Sequence, residues 1–343
     1  MDKVNYNVVL LDESSIDQQV RIYKLAFSLS ESDEIIQKKW VKKHYQNPYG
    51  SSLIFGVFQN GVLAGMNAFL PSIYEYKGRM VKCLQSCESG VNPDYQGKGI
   101  WGTIVKYAVD YIMTQTEYEL IFGFPNYQNS YPGFVKMGWL TLSQMKNYIL
   151  VNNSKNFIKT VSTNKFLADF SFILNIQKIG IFFHQLFSKK ISISKCDSKE
   201  LLWNIKPEIM AVKPTIEWAD WKKEYRNEDF LKLFYDNRKI GSCIYTTTCF
   251  HGQQVVRIDK VSIADDSPIS LKDAFVGIAK WISIQYPNAA FIRTWAMEND
   301  YFYERTLKKL LFVKLSHPNP FIVKCDDERY RNALWELSFY DLD

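Results

Sequence analysis

The sequence predicts an α/β (α+β) protein, its sheet strands flanked by helices and arranged in two successive units. Three observations carry that expectation. Apolar runs with period-two alternation take turns along the chain with segments whose apolar residues recur every three or four positions. One strand-to-helix junction, residues 87–102 (CESGVNPDYQGKGIWG), is a glycine-rich loop. A short pattern at residue 42 also returns at residue 222 with similar neighbours after it. At 343 residues the chain is long for one core, and two domains of about 150 residues are the default.

Composition narrows the class. With 47% hydrophobic and 15% aromatic residues, the chain can bury a substantial core. A net charge of +6 and a pI near 8.7 suit an anionic small ligand. The basic residues are spread too evenly for nucleic acid, and no nucleic-acid motif spacing occurs. The six cysteines form no CxxC pair, and His44, His184, His251 and His317 lack ligand spacing, so no metal is expected. The opening stretch MDKVNYNVVLLDESS has no apolar targeting core, which with reduced thiols makes a cytoplasmic setting the expectation.

In order, residues 7–11 read as a strand, and 18–29 and 34–45 as helices. Residues 53–58 and 62–70 form a hairpin about Asn60-Gly61. Residues 79–91 extend that sheet to Asn92-Pro93-Asp94, a turn signal. Gly97 and Gly99 lack a Cβ, so their backbone can turn tightly and approach a ligand closely. Ile100, Ile104, Ala108 and Ile112 then fall at spacing four on an amphipathic helix. A strand over 118–124, a short helix over 131–137 and a strand through 148–151 complete the stretch.

Free amides at a helix start, with the positive end of its dipole, receive phosphate or pyrophosphate. The loop has neither the GxxxxGK[ST] nor the GxGxxG pattern. Gln96-Gly97-Lys98-Gly99-Ile100, following Val91-Asn92-Pro93, resembles the acyl-CoA loop of the GNAT N-acyltransferases, Q/R-x-x-G-x-G/A. Trp101 stands where that pattern has a second Gly or Ala, and Gly102 follows; a bulky residue there can still donate its amide. The resemblance implies a GNAT fold, a mixed and mostly antiparallel sheet flanked by helices, over residues 1–151. It also implies acetyl-CoA or another acyl-CoA as co-substrate. The amides of Gln96, Gly97, Lys98, Gly99, Ile100, Trp101 and Gly102 would hold the pyrophosphate. Ser89, Gly90 and Val91 would pair with pantetheine as an added strand, and Asn126 and Asn129 would contact the CoA arm. The strand after the loop helix would splay away and admit the thioester.

Acyl transfer to an amine needs a neutral amine, a polarised thioester carbonyl and an acid for the leaving thiolate. In the family that acid is a Tyr within Y-x-x-x-G-F. Here FVKMGW puts Phe134 at its place, so either Tyr131, about one helical turn earlier, takes the role or no protein acid is needed. Glu88 is the carboxylate best placed as base, its alternative being an edge-exposed glutamate. Cys83 and Cys87 have no recognisable His partner for covalent catalysis.

Residues 152–197 read as an apolar helical linker. Its Phe-rich part, 166–187, carries Asp169, Lys178 and Gly180, so a transmembrane span is not expected. Helices packed between the units are one reading, a membrane-surface helix another. Residues 198–343 read as a degenerate second copy: Lys42 to Asn47 recurs as Lys222 to Asn227, and Phe134 to Trp139 as Leu307 to Phe312. Where the glycine loop should fall, residues 261–268 carry Asp265 and Asp266, which would repel a pyrophosphate. This tandem resembles GNAT-like enzymes of bacterial surface-polysaccharide pathways, which implies a small-molecule amine acceptor such as an amino sugar or its nucleotide-linked form. A non-catalytic acyl-CoA-binding or membrane-peripheral module stays open as an alternative. So does an aminoacyl transferase of the peptidoglycan type, although an intact CoA loop argues against an aminoacyl-tRNA donor.

Overall fold

A computed structural model describes residues 6–160, 186–315 and 318–341. Strands β1 (Val8–Leu11), β2 (Leu53–Gln59), β3 (Val62–Tyr76) and β4 (Arg79–Val91) pair in sequence order, each antiparallel to the next. Helices α1 (Ile16–Phe27) and α2 (Asp33–His44) fall between β1 and β2, and α3 (Ile100–Gln115) follows β4. Strand β5 (Leu120–Gly123) then returns parallel to β4. Spacing four explains the seat of α3: Ile100, Ile104, Val105, Ala108 and Ile112 are buried in one cluster with Phe55, Phe69, Leu84 and Ile121 of the sheet. Each fully buried large aliphatic contributes about 1.5–3 kcal/mol relative to exposure.

After α4 (Tyr131–Lys136), β6 (Leu140–Val151), α5 (Ser154–Thr160), β7 (Ser192–Cys196) and β8 (Ile209–Val212), the first arrangement recurs. Helix α6 (Ile216–Arg226) leads into β9 (Glu228–Tyr235), β10 (Arg238–Phe250) and β11 (Gln253–Ile263), an antiparallel series. Helix α7 (Leu271–Gln285) then crosses to β12 (Phe291–Met297), parallel to β11, and α8 (Tyr301–Lys309) follows. The antiparallel, antiparallel, parallel order of β2 to β5 is thus that of β9 to β12. Strand β7 falls within the stretch read as linker and pairs with β9.

The two copies share one sheet. The strand read as closing the first unit, β6, does not pair with β5; its residues 145–151 run antiparallel to 297–291 of β12. After β13 (Val313–Lys314), β14 (Asn319–Lys324) runs antiparallel to both β5 and β6, with Ile322 opposite Gly123. Each unit therefore lends its last long strand to the other, and one strand path runs β1-β2-β3-β4-β5-β14-β6-β12-β11-β10-β9-β7. A carboxylate clasps the exchange: Tyr148 Oη donates to Glu304 Oε1 at 2.7 Å and Lys146 Nζ to Oε2 at 3.1 Å. Burial pushes the Glu304 carboxyl up, but hydrogen bonds from Lys308, Tyr148 and Lys146 outweigh it and hold the pKa at about 2. The two repeated motifs also touch, since Trp221 Nε1 donates to Lys42 O at 2.7 Å and Lys42 pairs with Glu224. The chain closes with α9 (Glu328–Arg331) and β15 (Leu334–Trp335), which pairs with β8.

Among the described residues no helix is long and apolar enough to cross a membrane. The Phe-rich stretch 166–187 lies outside the described residues except for Leu186 and Phe187, both exposed.

Candidate active site

Strands β4 and β5 pair in parallel through Ser86 and Gly123, and no further. Beyond that point a cleft of about 650 Å³ lies between them. Its walls come from β4 (Gln85 to Ser89), the segment after β5 (Phe124, Asn126, Asn129, Phe134), α1 (Tyr23, Phe27) and Asn319 at the start of β14.

The β4 wall carries a bulge. Met66 faces Gly90 and Ala68 faces Cys87, so Glu88 and Ser89 together oppose Asn67. Glu88 takes a φ of +37°, a conformation that a non-glycine residue holds only when its surroundings enforce it. Its side chain is 8% exposed, ion-paired with Lys43, and its Oε2 lies 3.5 Å from His44 Nε2. His44 Nδ1 in turn sits 2.9 Å from Ser52 Oγ. The edge-exposed alternative for Glu88 is thus overturned, because the bulge turns the side chain under the C-terminal end of α2. Removing one partner of a buried pair leaves an uncompensated charge, so Lys43 and Glu88 hold each other in place. Ser89 Oγ donates to Asn67 Oδ1, which fixes the bulge from its other side.

At the end of β4 the loop takes the shape its glycines allow. Gly97 and Gly99 have φ of +74° and +77°, and a Cβ at either would meet nothing within 4 Å. Left-handed backbone, not crowding within the protein, is what calls for glycine here. Gly99 is the N-cap of α3 and offers no side-chain acceptor, so the amides of Ile100, Trp101 and Gly102 have no intrahelical partner. Gln96 Nε2 donates to Val91 O at 3.2 Å, and Lys98 Nζ to Asp94 O at 3.0 Å, which tie the loop to its own turn. Trp101 stands edge-on to Phe134, ring centroids 5.0 Å apart. A Cβ on Gly133 would come within 2.5 Å of that indole, so the bulky loop residue is matched by a missing side chain on α4.

The structure brings Glu88, Ser89, Asn126 and Asn129 to one cleft. Gly90 lies directly under α1, where a Cβ would sit 2.8 Å from Ile22, and Val91 leads into the loop. Asn126 Oδ1 accepts from the amides of Gln128 and Asn129 and so shapes its own turn. Tyr131 is not brought in. Its hydroxyl lies 3.0 Å from Thr141 Oγ1 of β6 and its ring stacks on Tyr127, while buried Phe134 takes the cleft wall. The hydroxyl of Tyr131, expected as thiolate acid, is turned to Thr141 in this geometry. Lys43, His44 and Asn319 were not anticipated. The repeated motif at residues 42–47 marked the first two without showing their partner, and Asn319 reaches this cleft only through the strand exchange.

The second copy keeps the scaffold and closes the site. β11 leaves β12 after Arg257 and Arg293 and bulges at Asp259, two residues on, as β4 does at Glu88. Asp259 is buried against Arg257 and Thr246. The start of α7 is sealed by a capping box in which Ser270 accepts from the Asp273 amide and Asp273 accepts from that of Ser270. Asp266 is paired with Arg238 and Asp265 accepts from Asn204, so the cap, more than their free charge, denies an anion this helix start. The C-terminal segment then crosses the strand gap. Glu336 pairs with Lys260 at 2.7 Å, the Leu337 amide meets Met297 Sδ at 3.3 Å, and Phe339 stacks on Trp295 at 4.1 Å between centroids.

Residues 7–141 match the family model described as an acetyltransferase (GNAT) domain. Among solved structures the chain is similar to a probable N-acyltransferase from Enterococcus faecalis, with TM-score 0.63 and 12% identity over 94% of this chain and 73% of that one. A GCN5-related N-acetyltransferase from Anabaena variabilis gives TM-score 0.61 and 12% identity over 94% and 74%. A tandem GNAT protein from the clavulanic acid biosynthesis pathway gives 0.57 and 10% over 94% and 98%. No curated protein matches the sequence significantly. At these identities the likeness to the solved structures is one of fold.

Proposed function

We propose that this chain is a tandem GNAT protein and an acyl-CoA-dependent N-acyltransferase, since residues 7–141 match that family's acetyltransferase domain and its fold is similar to that of a tandem GNAT protein. It moves an acetyl or similar group to a small-molecule amine, with an amino sugar or nucleotide-linked amino sugar as acceptor class. The observation that carries this reading is the pairing of a buried carboxylate, Glu88, at the β4–β5 gap with an uncapped helix start at the end of the same strand.

The roles follow from position. Amides of Gly97, Lys98, Gly99, Ile100, Trp101 and Gly102 hold the CoA pyrophosphate at the positive end of α3, whereas the Gln96 amide donates to Pro93 O and closes the turn before the loop. Backbone groups of Ser89, Gly90 and Val91 pair with the pantetheine arm, and Asn126 and Asn129 contact it from the far wall. Glu88, ion-paired with Lys43, takes a proton from the acceptor ammonium directly or through one water, and the freed nitrogen lone pair attacks the thioester carbon. The carbon–sulfur bond breaks, and the thiolate takes its proton from water or from the acceptor nitrogen, since Phe134 has none to give. The polar walls Gln85, Ser86, Ser89, Asn126, Asn129 and Asn319 are uncharged amides and hydroxyls, which match the hydroxyl groups of a sugar acceptor.

Thiol release from acetyl-CoA across a panel of amino sugars and their nucleotide-linked forms tests this. Glu88→Gln should slow turnover by about 10²–10⁴-fold with CoA affinity nearly unchanged, and Tyr131→Phe should leave turnover as it is. CoA binding with no amine-dependent thiol release on any acceptor would favour a non-catalytic acyl-CoA-binding module. Turnover only with aminoacyl-tRNA would favour the peptidoglycan-type transferase.

A further inference from the structure

The second unit retains a cavity of about 700 Å³ beside the C-terminal segment that crosses its strand gap. That volume lies within the range of small-molecule sites, about 300–1,000 Å³. Its position repeats that of the first cleft: the end of β11, the end of β12 and the start of α8 stand where β4, the β5 end and α4 stand in the first copy. The strand exchange supplies a wall in each case, Asn319 of β14 in the first cleft and Ser143 of β6 in the second.

The linings differ in kind. Trp295, Met297, Phe321 and Trp335, all nine-tenths or more buried within the fold, form an apolar wall of the second cavity, whose remaining lining includes Lys206, Lys260, Asp300, Arg331 and Glu336. Among them Ser143, 5% exposed, has a hydroxyl with no hydrogen-bond partner among the described residues. A buried hydroxyl without a partner is costly, and a ligand atom that hydrogen-bonds it recovers that cost on binding. CoA does not fit this demand, because the capping box occupies the Asp273 amide and sets the Asp273 carboxylate at the helix start where a pyrophosphate would sit. The two clefts are also separate. Phe124, a wall of the first, packs against Trp295 and Phe321 of the second at centroid distances of 5.6 and 5.5 Å.

We propose that this cavity is a ligand site in its own right, for a flat and mostly apolar small molecule carrying one hydrogen-bonding group directed at Ser143. The second copy is then a binding module that has exchanged an acyl-CoA cleft for an aromatic one.

The test uses the full-length protein and needs no turnover. 2-Naphthol serves as probe, followed by its own fluorescence, with naphthalene as the partner lacking the hydroxyl. One saturable equivalent of 2-naphthol should bind, and excess CoA should not displace it. Asn299→Trp and Asn332→Trp, exposed positions on different edges of the mouth, should each weaken it at least tenfold. A thermal melt of each variant shows whether it is folded, so either one can decide. 2-Naphthol should bind more tightly than naphthalene by about threefold or more, and Ser143→Ala should erase that difference. Absence of saturable binding, displacement by CoA, or binding untouched by both tryptophan variants would overturn the site. Equal affinity of the two probes for the native protein would overturn the role of Ser143.

Discussion

The starts of α3 and α7 occupy the same place in two copies of one fold and do opposite things with their first-turn amides. In α3 the cap is a glycine at φ +77°, and the amides are left for a ligand. In α7 the cap is Ser270, and a reciprocal bond uses the Asp273 amide inside the protein and sets the Asp273 carboxylate at the helix start. The carboxylates at the two bulges diverge similarly: Glu88 lines a cleft, whereas Asp259 is held by Arg257 and Thr246. A duplicated scaffold thus loses an anion site by gaining one good helix cap and one crossing segment, with its sheet order intact.

The comparison breaks most visibly at β14. Ile322 belongs by sequence to the second unit but is fully buried in the first unit's core with Ile121, Phe134 and Trp139. Ile322→Ala should cost about 2–5 kcal/mol in urea unfolding, and CoA affinity should fall with it. Unchanged CoA binding would mean that the first cleft stands without its borrowed strand.

A smaller effect separates the two helix starts. CoA at about 100-fold above its dissociation constant should stabilise the native chain by about 2.7 kcal/mol. Gly99→Val should abolish that thermal shift, because a β-branched residue does not hold a left-handed φ. Native protein whose melting temperature ignores saturating CoA would remove the acyltransferase reading. The smallest effect sharpens the contrast. Ser270→Ala should cost about 1 kcal/mol and leave calorimetric CoA stoichiometry at one per chain, since Phe339 still crosses the second gap. A second equivalent of CoA in that variant would show that the cap alone distinguishes the copies.

Much of this was legible in the residues. Period-two and period-3.6 patterns placed the strands and helices of the first copy, repeated short motifs pointed to the second, and Gly97 and Gly99 marked the loop because left-handed backbone is a local demand. The exchange of β6 and β14 was not legible. Alternation tells which face of a strand is buried but not which strand lies beside it, and two apolar antiparallel strands can trade places at no cost in pattern. Glu88 was noticed, but its burial depends on a bulge and on the last turn of α2, both set by tertiary packing. Helical spacing singled out Tyr131 without showing its neighbour, since α4 is one short helix whose first residue faces Thr141 on β6.

The exchanged strands also bear on how the chain is made. Gly123 of β5 pairs with Ser86 on one edge but finds a partner for its other edge only when Ile322 exists. At synthesis rates of about 5–20 residues per second, that is a wait of roughly 10–40 s. During that interval the nascent first unit carries a bare apolar strand edge, the kind of surface that recruits other chains. The cleft proposed for acyl-CoA, encoded early, is therefore among the last parts of the molecule to be finished, and translation that stalls before β14 should yield a ribosome-bound chain that needs chaperone shielding.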